Sequence, residues 1–467
     1  MLRKSLLYNI IIYFVLIGLI YFCFNLHFSK NNLYLLYDSK RFYVGTVILL
    51  SCVFILVSKN IRNGIAHAVM DVPVWVKILI IMFALSMFIS TLNSNKLAYS
   101  IHYYLYYAGL SILCCLLYDA VVQQKTQIYS LFCLLAILLF LSVGMAFWLT
   151  IYFGLDVNKY TMLSFSNPRF LNQVQIWLIV PLLYLAVLNE IRKRNNYFIS
   201  LGLLLSVATI IATDGRGISI ALISSVFLWA LIDKSWRRKI LILSIKIIIG
   251  GYLVKLMFLS PLPAYIFSDG IWDLGSIRTD SPGRVQLWKD SLSFISLLGN
   301  GGGFFICTSE SNEIPRFGHP HNSILQILID WGVIAAISYC LLLAGLLFNV
   351  IVTKRRVVRV AGISLLAGFA YSFVSGVLNM PLSQLLAVLS ISIYWCCCRV
   401  KPNSKLQERK YVSTFSIILM ITSALIIYSL VERGIVRAEM YKTGVLQNEG
   451  AHFQNMRIDF WLGYNCK

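Results

Sequence analysis

Charge is scarce in this sequence. Only 13% of its 467 residues are Asp, Glu, Lys or Arg, about half the share of a soluble globular chain. Acids are the scarcer sign, 19 against 40 Lys and Arg. With 59% hydrophobic residues and a mean hydropathy of +0.77, the composition excludes a soluble enzyme, a disordered chain and a collagen-like fibre. No internal repeat or low-complexity tract is present. The first apolar run has no small-x-small cleavage site, and more runs follow, so it reads as a membrane segment rather than a cleaved signal. The 11 cysteines follow no secreted-scaffold spacing. Cys114-Cys115 and Cys396-Cys397-Cys398 lie in apolar runs and read as fillers. Cys307 and Cys466 fall in segments assigned to the outside, where pairing is chemically open.

What the sequence has in abundance is apolar length. A membrane-spanning helix needs about 20 mostly apolar residues, and such runs lie near 5–24, 42–58, 73–92, 99–118, 127–153, 173–190, 197–213, 217–232, 240–259, 323–351, 358–379, 382–398 and 411–431. Backbone groups in lipid must be satisfied within the segment, so these are helices. The expectation is an all-α polytopic membrane protein of about 12–13 transmembrane helices, with 42–58 and 217–232 short enough to be half-helices.

The cations orient the chain. Alternate short segments, from Arg3-Lys4 through Arg192-Lys193-Arg194 to Arg399–Lys410, hold 21 of the 40 cations and five acids, a net of +16. The opposite side nets +2, and Lys77, Lys246 and Lys255 fall inside apolar runs, where snorkelling to an interface is the plain reading. Positive loops stay inside. Five parts follow: N-terminal helices 1–153, central helices 154–259 with Arg-bearing outer loops, a large outer loop 260–322, C-terminal helices 323–431, and an outer tail 432–467.

Four polar clusters face the outer side, where ionisable groups beside spans point to function. Asn167-Pro168-Arg169-Phe170-Leu171-Asn172-Gln173 opens a helix with one cation and three amides, or is an interfacial anchor with a capping Asn. Thr213-Asp214-Gly215-Arg216-Gly217 joins two runs with almost no loop. Its glycines permit close approach, and its guanidinium suits phosphate oxygens, unless Arg216 merely pairs with Asp214. Ser281-Pro282-Gly283-Arg284 turns into an amphipathic stretch with Trp288 at headgroup level, followed by Gly299-Asn300-Gly301-Gly302-Gly303. That glycine run lacks Gly-Lys-Ser/Thr and is no nucleotide-binding loop. It could cradle phosphate with backbone N–H groups, but flexibility is the simpler reading. Gly318-His319-Pro320-His321-Asn322-Ser323 starts a helix that continues to Asp330-Trp331-Gly332. The two histidines lack a set of partner ligands for a metal. A neutral imidazole beside arginines suits a general base better.

The order Arg-Gly, Arg-x-x-x-Trp, Gly-x-Gly, then His-Asn-x-x-Leu-Gln with Trp-Gly-Val resembles the O-antigen ligase superfamily. That superfamily comprises lipopolysaccharide O-antigen ligases, O-antigen polymerases and protein O-oligosaccharyltransferases. The resemblance covers roughly 165–335. It implies a glycosyltransferase-C-like fold with a large periplasmic loop in the bacterial inner membrane, and a metal-independent transferase without a cofactor. It implies an undecaprenyl-diphosphate-linked glycan as donor, and lipid A–core, a glycan repeat or a protein as acceptor. Membrane lipids would be partners, and nucleic acid would not. Carried over, His321, Arg284 and Arg216 are the catalytic candidates. Arg169, Asn322, His319, Gln173 and Trp288 are the substrate-binding ones, with His319 contesting the role of His321. Ile271-Trp272-Asp273-Leu274-Gly275 matches three of five positions of a motif of metal-dependent oligosaccharyltransferases, but no Asp-x-Asp accompanies it. A lipid-linked-glycan transporter is the reading of another class. Lys77, Lys246 and Lys255 would support it, whereas the crowding of polar clusters at one boundary favours chemistry there.

Overall fold

The computed structural model describes residues 2–24, 36–123, 125–155, 157–165, 167–267, 284–305, 319–399 and 409–442. Among these every regular element is a helix, and the chain is an all-α polytopic membrane protein. The first half holds α1 (Leu2–Cys23), α2 (Leu36–Val57), α3 (Lys59–Met70), α4 (Val74–Leu92), α5 (Leu97–Gln123), α6 (Lys125–Tyr152), α7 (Pro168–Ile191) and α8 (Tyr197–Ala212). The second holds α9 (Arg216–Ile232), α10 (Arg237–Phe258), α11 (Leu262–Phe267), α12 (Arg284–Leu292), α13 (Ser323–Val352), α14 (Arg356–Ser372), α15 (Pro381–Cys398) and α16 (Arg409–Lys442). Cys307, Cys466 and the Ile271–Gly275 motif lie outside the described residues.

Each of the thirteen apolar runs falls on a helix. Nine of the helices described are long and apolar enough to cross a membrane, while α8, α9 and the apolar part of α1 are shorter. The run at 42–58 is no half-helix: α2 starts earlier, at Leu36. The run at 358–379 breaks, because α14 ends at Ser372 and Pro381 opens α15 as a first-turn residue. The last helix, α16, runs past the apolar stretch 411–431 to Lys442. Of the three intramembrane lysines, Lys77 donates to the Met70 carbonyl at 3.1 Å, Lys246 is exposed, and Lys255 is buried.

The centre of the bundle is α7 and α15. Trp177 is fully buried and donates to Ser383 Oγ at 2.9 Å, and Ser383 in turn donates to the Gln173 carbonyl at 2.9 Å. In contrast, α4 and α10 bury only 22% and 17% of their apolar windows, which leaves faces suited to lipid.

One spanning helix is broken. Gly332 in α13 has φ 83 and ψ −178, a conformation open essentially to glycine alone. The break releases carbonyls that lipid cannot satisfy, and the glycine run fills that need. Asn300 and Gly301 donate backbone N–H groups to Ile329 and Asp330 at 3.0 and 2.9 Å, and Val333 N–H reaches Leu297 O at 3.0 Å. From α4, Ser86 and Ser90 donate to the Trp331 and Asp330 carbonyls at 2.8 and 2.6 Å. Gly299, Gly301 and Gly303 all have positive φ, and a Cβ on Gly299 would meet Gly332 N at 2.6 Å. The run is therefore a docked backbone plug rather than a flexible stretch. Its glycines are required by close approach to a broken helix.

Candidate functional site

Four segments meet at one end of the bundle. The first is the start of α7, where Asn167 caps the helix by accepting from Arg169 N–H at 2.9 Å and Pro168 occupies the first turn. Arg169 is exposed there. Gln173, one turn on, is buried, and its amide donates to Ser375 Oγ at 2.8 Å. It thus faces the helix interior and fixes a wall of the site.

The second segment is the tight turn between α8 and α9. Thr213 donates to Asn172 Oδ1 at 3.1 Å, which ties the turn to α7. Asp214 has φ 51, a left-handed conformation that Asp tolerates better than most residues. A Cβ on Gly217 would come within 2.9 Å of the Tyr371 ring, so the missing side chain lets α9 close on α14. Arg216 and Asp214 lie 3.9 Å apart, with more than two-fifths of each side chain exposed. Such an exposed pair is worth about 0–1 kcal/mol.

The third segment is α12, opened by half-buried Arg284. Trp288 is half-buried. Its indole N–H donates to the Pro320 carbonyl at 2.8 Å, while Leu287, Phe305, Leu325 and Ile329 form a small apolar cluster beside it. Trp288 therefore holds the fourth segment, the His-Pro-His turn. Asn322 caps α13 by accepting from Leu325 N–H at 3.1 Å, so its side chain is committed to the helix start.

The two histidines are not equivalent. His319 is 3% exposed, and its Nδ1 accepts the His321 backbone N–H at 3.0 Å. An accepting Nδ1 places its proton on Nε2. His321 has φ 55 and stands edge-on to His319, with ring centroids 4.1 Å apart. The hydrogen bond thus helps hold His321 in a left-handed conformation that points its partly exposed ring into the site.

Electrostatics tie the segments together. Burial, then the Arg169 charge, pushes the His319 pKa down to about 3. His321 is held well below 6.5 by burial first, then by His319, Arg169 and Arg284. Arg284 is itself lowered by burial, and Arg169 and Arg216 add to this while Tyr371 opposes them. Guanidinium groups do not shed their proton in proteins, so the three arginines form a repelling cationic cluster around neutral imidazoles. Among the described residues neither Arg169 nor Arg284 pairs with a carboxylate. No three His, Cys, Asp or Glu side chains are grouped to hold a metal among those residues.

The O-Antigen ligase family model matches residues 201–340. Over that stretch the chain is similar to the O-antigen ligase family. The matched stretch spans α8 to α12, the glycine plug, the His-Pro-His turn and the Gly332 break in α13. The candidate site extends beyond it, since Arg169 and Gln173 come from α7. No curated protein matches the chain.

Sequence reasoning missed one wall of this site, the segment from Tyr371 to Gly376. Tyr371 shares a hydrogen bond with Ser375, which also receives Gln173, and the His319 ring packs on Gly376 where a Cβ would collide. The signal was present as Ser372, Ser375 and Gly376 interrupting an apolar run just before Asn379 and Pro381.

Proposed function

We propose that this chain transfers a preassembled glycan from undecaprenyl diphosphate to an acceptor hydroxyl on the periplasmic side of the bacterial inner membrane, with ligation of O-antigen to lipid A–core as the reaction. The observation that carries the reading is the gathering of Arg169 and Arg284 beside the neutral His319–His321 pair, with Arg216 beside Arg284. A cluster of cations that outnumbers its carboxylates, with Arg216 beside Asp214 and no ion pair at Arg169 or Arg284 among the described residues, favours a polyanion. Bidentate guanidinium contacts match diphosphate oxygens, and they strengthen as charge develops on the departing group, so the arginines supply the stabilisation that a metal ion gives elsewhere.

In this reaction the acceptor oxygen attacks the anomeric carbon and its proton goes to His321. The bond from that carbon to the diphosphate oxygen breaks, the electron pair leaving with undecaprenyl diphosphate. One displacement inverts the anomeric centre. His321 is a poor base without a bound anion because its imidazolium would be buried and would face His319 and the arginines. A bound diphosphate cancels part of that field and lifts the His321 pKa towards working pH, which suits a base needed only when the donor is in place.

The deletion strain tests the acceptor. Lipid-linked polymer accumulating while the core stays bare supports ligation. Single repeats on the core mean that the chain is a polymerase, and intact lipopolysaccharide beside an unglycosylated protein means that it is a protein O-oligosaccharyltransferase. Purified protein that moves lipid-linked glycan across a vesicle bilayer without transferring it would contradict the enzyme reading and restore the transporter one.

A further inference from the structure

The first turn of α2 carries Asp38, Lys40 and Arg41, and all three are at most 2% exposed. Charges so deeply buried are retained at a cost and call for a role. The two cations reach opposite sides of the site. Lys40 donates to the Ser164 carbonyl and lies 3.7 Å from the centre of the Phe165 ring, and among the described residues no carboxylate pairs with it. Ser164 and Phe165 immediately precede the Asn167 cap and Arg169. Arg41 instead donates to Tyr106 Oη at 2.8 Å, to Gln384 Oε1 at 2.6 Å and to the Asn379 carbonyl at 2.5 Å.

Those contacts reach the histidines. Asn379 donates its amide to Gln326 Oε1 at 2.9 Å, and Gln326 lies in the first turns of α13, five residues after His321. The turn that Arg41 grips is the one whose Gly376 seats the His319 ring and whose Ser375 receives Gln173. Asp38 fixes the clamp in turn, accepting from Arg437 of α16 at 2.6 and 2.9 Å.

We infer that Lys40 and Arg41 are positioning residues that set the separation between the arginine wall begun by Arg169 and the histidine wall seated on Gly376. The inference rests on the transferase reading of that site. Neither residue touches substrate in it. A shift of about 1 Å between reacting groups costs on the order of 100-fold in rate, so a lost clamp acts on turnover before it acts on donor affinity.

The test uses full-length Arg41→Lys and Lys40→Met, purified in detergent beside the wild type. Transfer from an undecaprenyl-diphosphate glycan is measured together with diethyl pyrocarbonate modification of His319, read by peptide mass against exposed His67. Both variants are expected to lose about 10- to 100-fold in kcat, with donor KM within about threefold of wild type. In Arg41→Lys, His319 should react roughly tenfold faster relative to His67 than in wild type, as the wall seating it loosens. Variants with kcat within about twofold of an active wild type, or a His319 equally protected in wild type and Arg41→Lys, overturn the inference. If wild type transfers nothing, the transferase reading fails, and the His319 measurement still decides whether Arg41 holds that wall. Should Arg41→Lys not fold, the kcat of Lys40→Met decides.

Discussion

His319 makes the site sensitive to acid, and its contribution can be worked out. Its pKa is about 3 in the folded chain against 6.5 for an ordinary histidine. A depressed histidine pKa means that the unfolded chain binds the proton more readily. The stability that follows is therefore complete above pH 6.5 and is lost as pH falls towards 3. Each pH unit in that window is worth about 1.4 kcal/mol, so lowering the pH from 7 to 5 removes about 2 kcal/mol. The figure depends on the unfolded value alone while the folded value stays below about 4. The perturbation is His319→Asn, whose Oδ1 can still accept the His321 N–H that His319 Nδ1 accepts at 3.0 Å but which does not titrate. Thermal midpoints in detergent at pH 7 and pH 5 give the readout. Wild type should lose about 2 kcal/mol more than the variant between these pH values, a difference of a few degrees. Parallel loss in the two proteins would refute the reasoning, because His319 would then titrate alike folded and unfolded.

Other outcomes follow from the same geometry. Gly332→Ala should destabilise severely, since its Cβ would meet Leu298 C at 2.6 Å and Gly299 N at 2.7 Å at φ +83, whereas Gly154→Ala, at φ +64 with no neighbour within 4 Å, should cost only about 1 kcal/mol. Folded yield and thermal midpoint check both. Trp288→Phe keeps the ring but loses the bond to Pro320 O, and should lower kcat about tenfold with donor KM little changed, in steady-state transfer assays. Adding a lipid-linked diphosphate should raise the His321 pKa by cancelling the Arg169 and Arg284 charges, as NMR titration of labelled histidine would show; an unchanged or lower value contradicts the donor assignment.

Much of this was legible before any coordinates. Hydropathy located every spanning helix, because lipid demands long apolar runs whatever the sequence within them. The four polar clusters stood out because their charges sit where charges are costly, and the structure brings them to one end of the bundle. Contacts formed within apolar runs were not legible. Gly332 lies inside a long hydrophobic stretch, where nothing local distinguishes a tolerated glycine from a break that needs a partner 30 residues upstream. Lys40 and Arg41 lie just outside the run at 42–58, and nothing local in the sequence shows that both are buried. Trp288 read as a membrane anchor because an amphipathic stretch faces lipid or protein with the same pattern. Its bond to Pro320 decides for protein. His319 and His321 could not be separated by sequence either, since burial and the φ 55 backbone make the difference.

The central claim is that arginines and one neutral histidine carry glycan transfer at this site. Its most direct test is transfer by purified protein in detergent, with an undecaprenyl-diphosphate glycan, a lipid A–core acceptor and a chelator present, comparing wild type with Arg284→Ala and His321→Ala. The account predicts an active wild type unaffected by the chelator, and two folded variants without detectable product. Near-normal transfer by either variant, or wild-type activity abolished by the chelator, would contradict it.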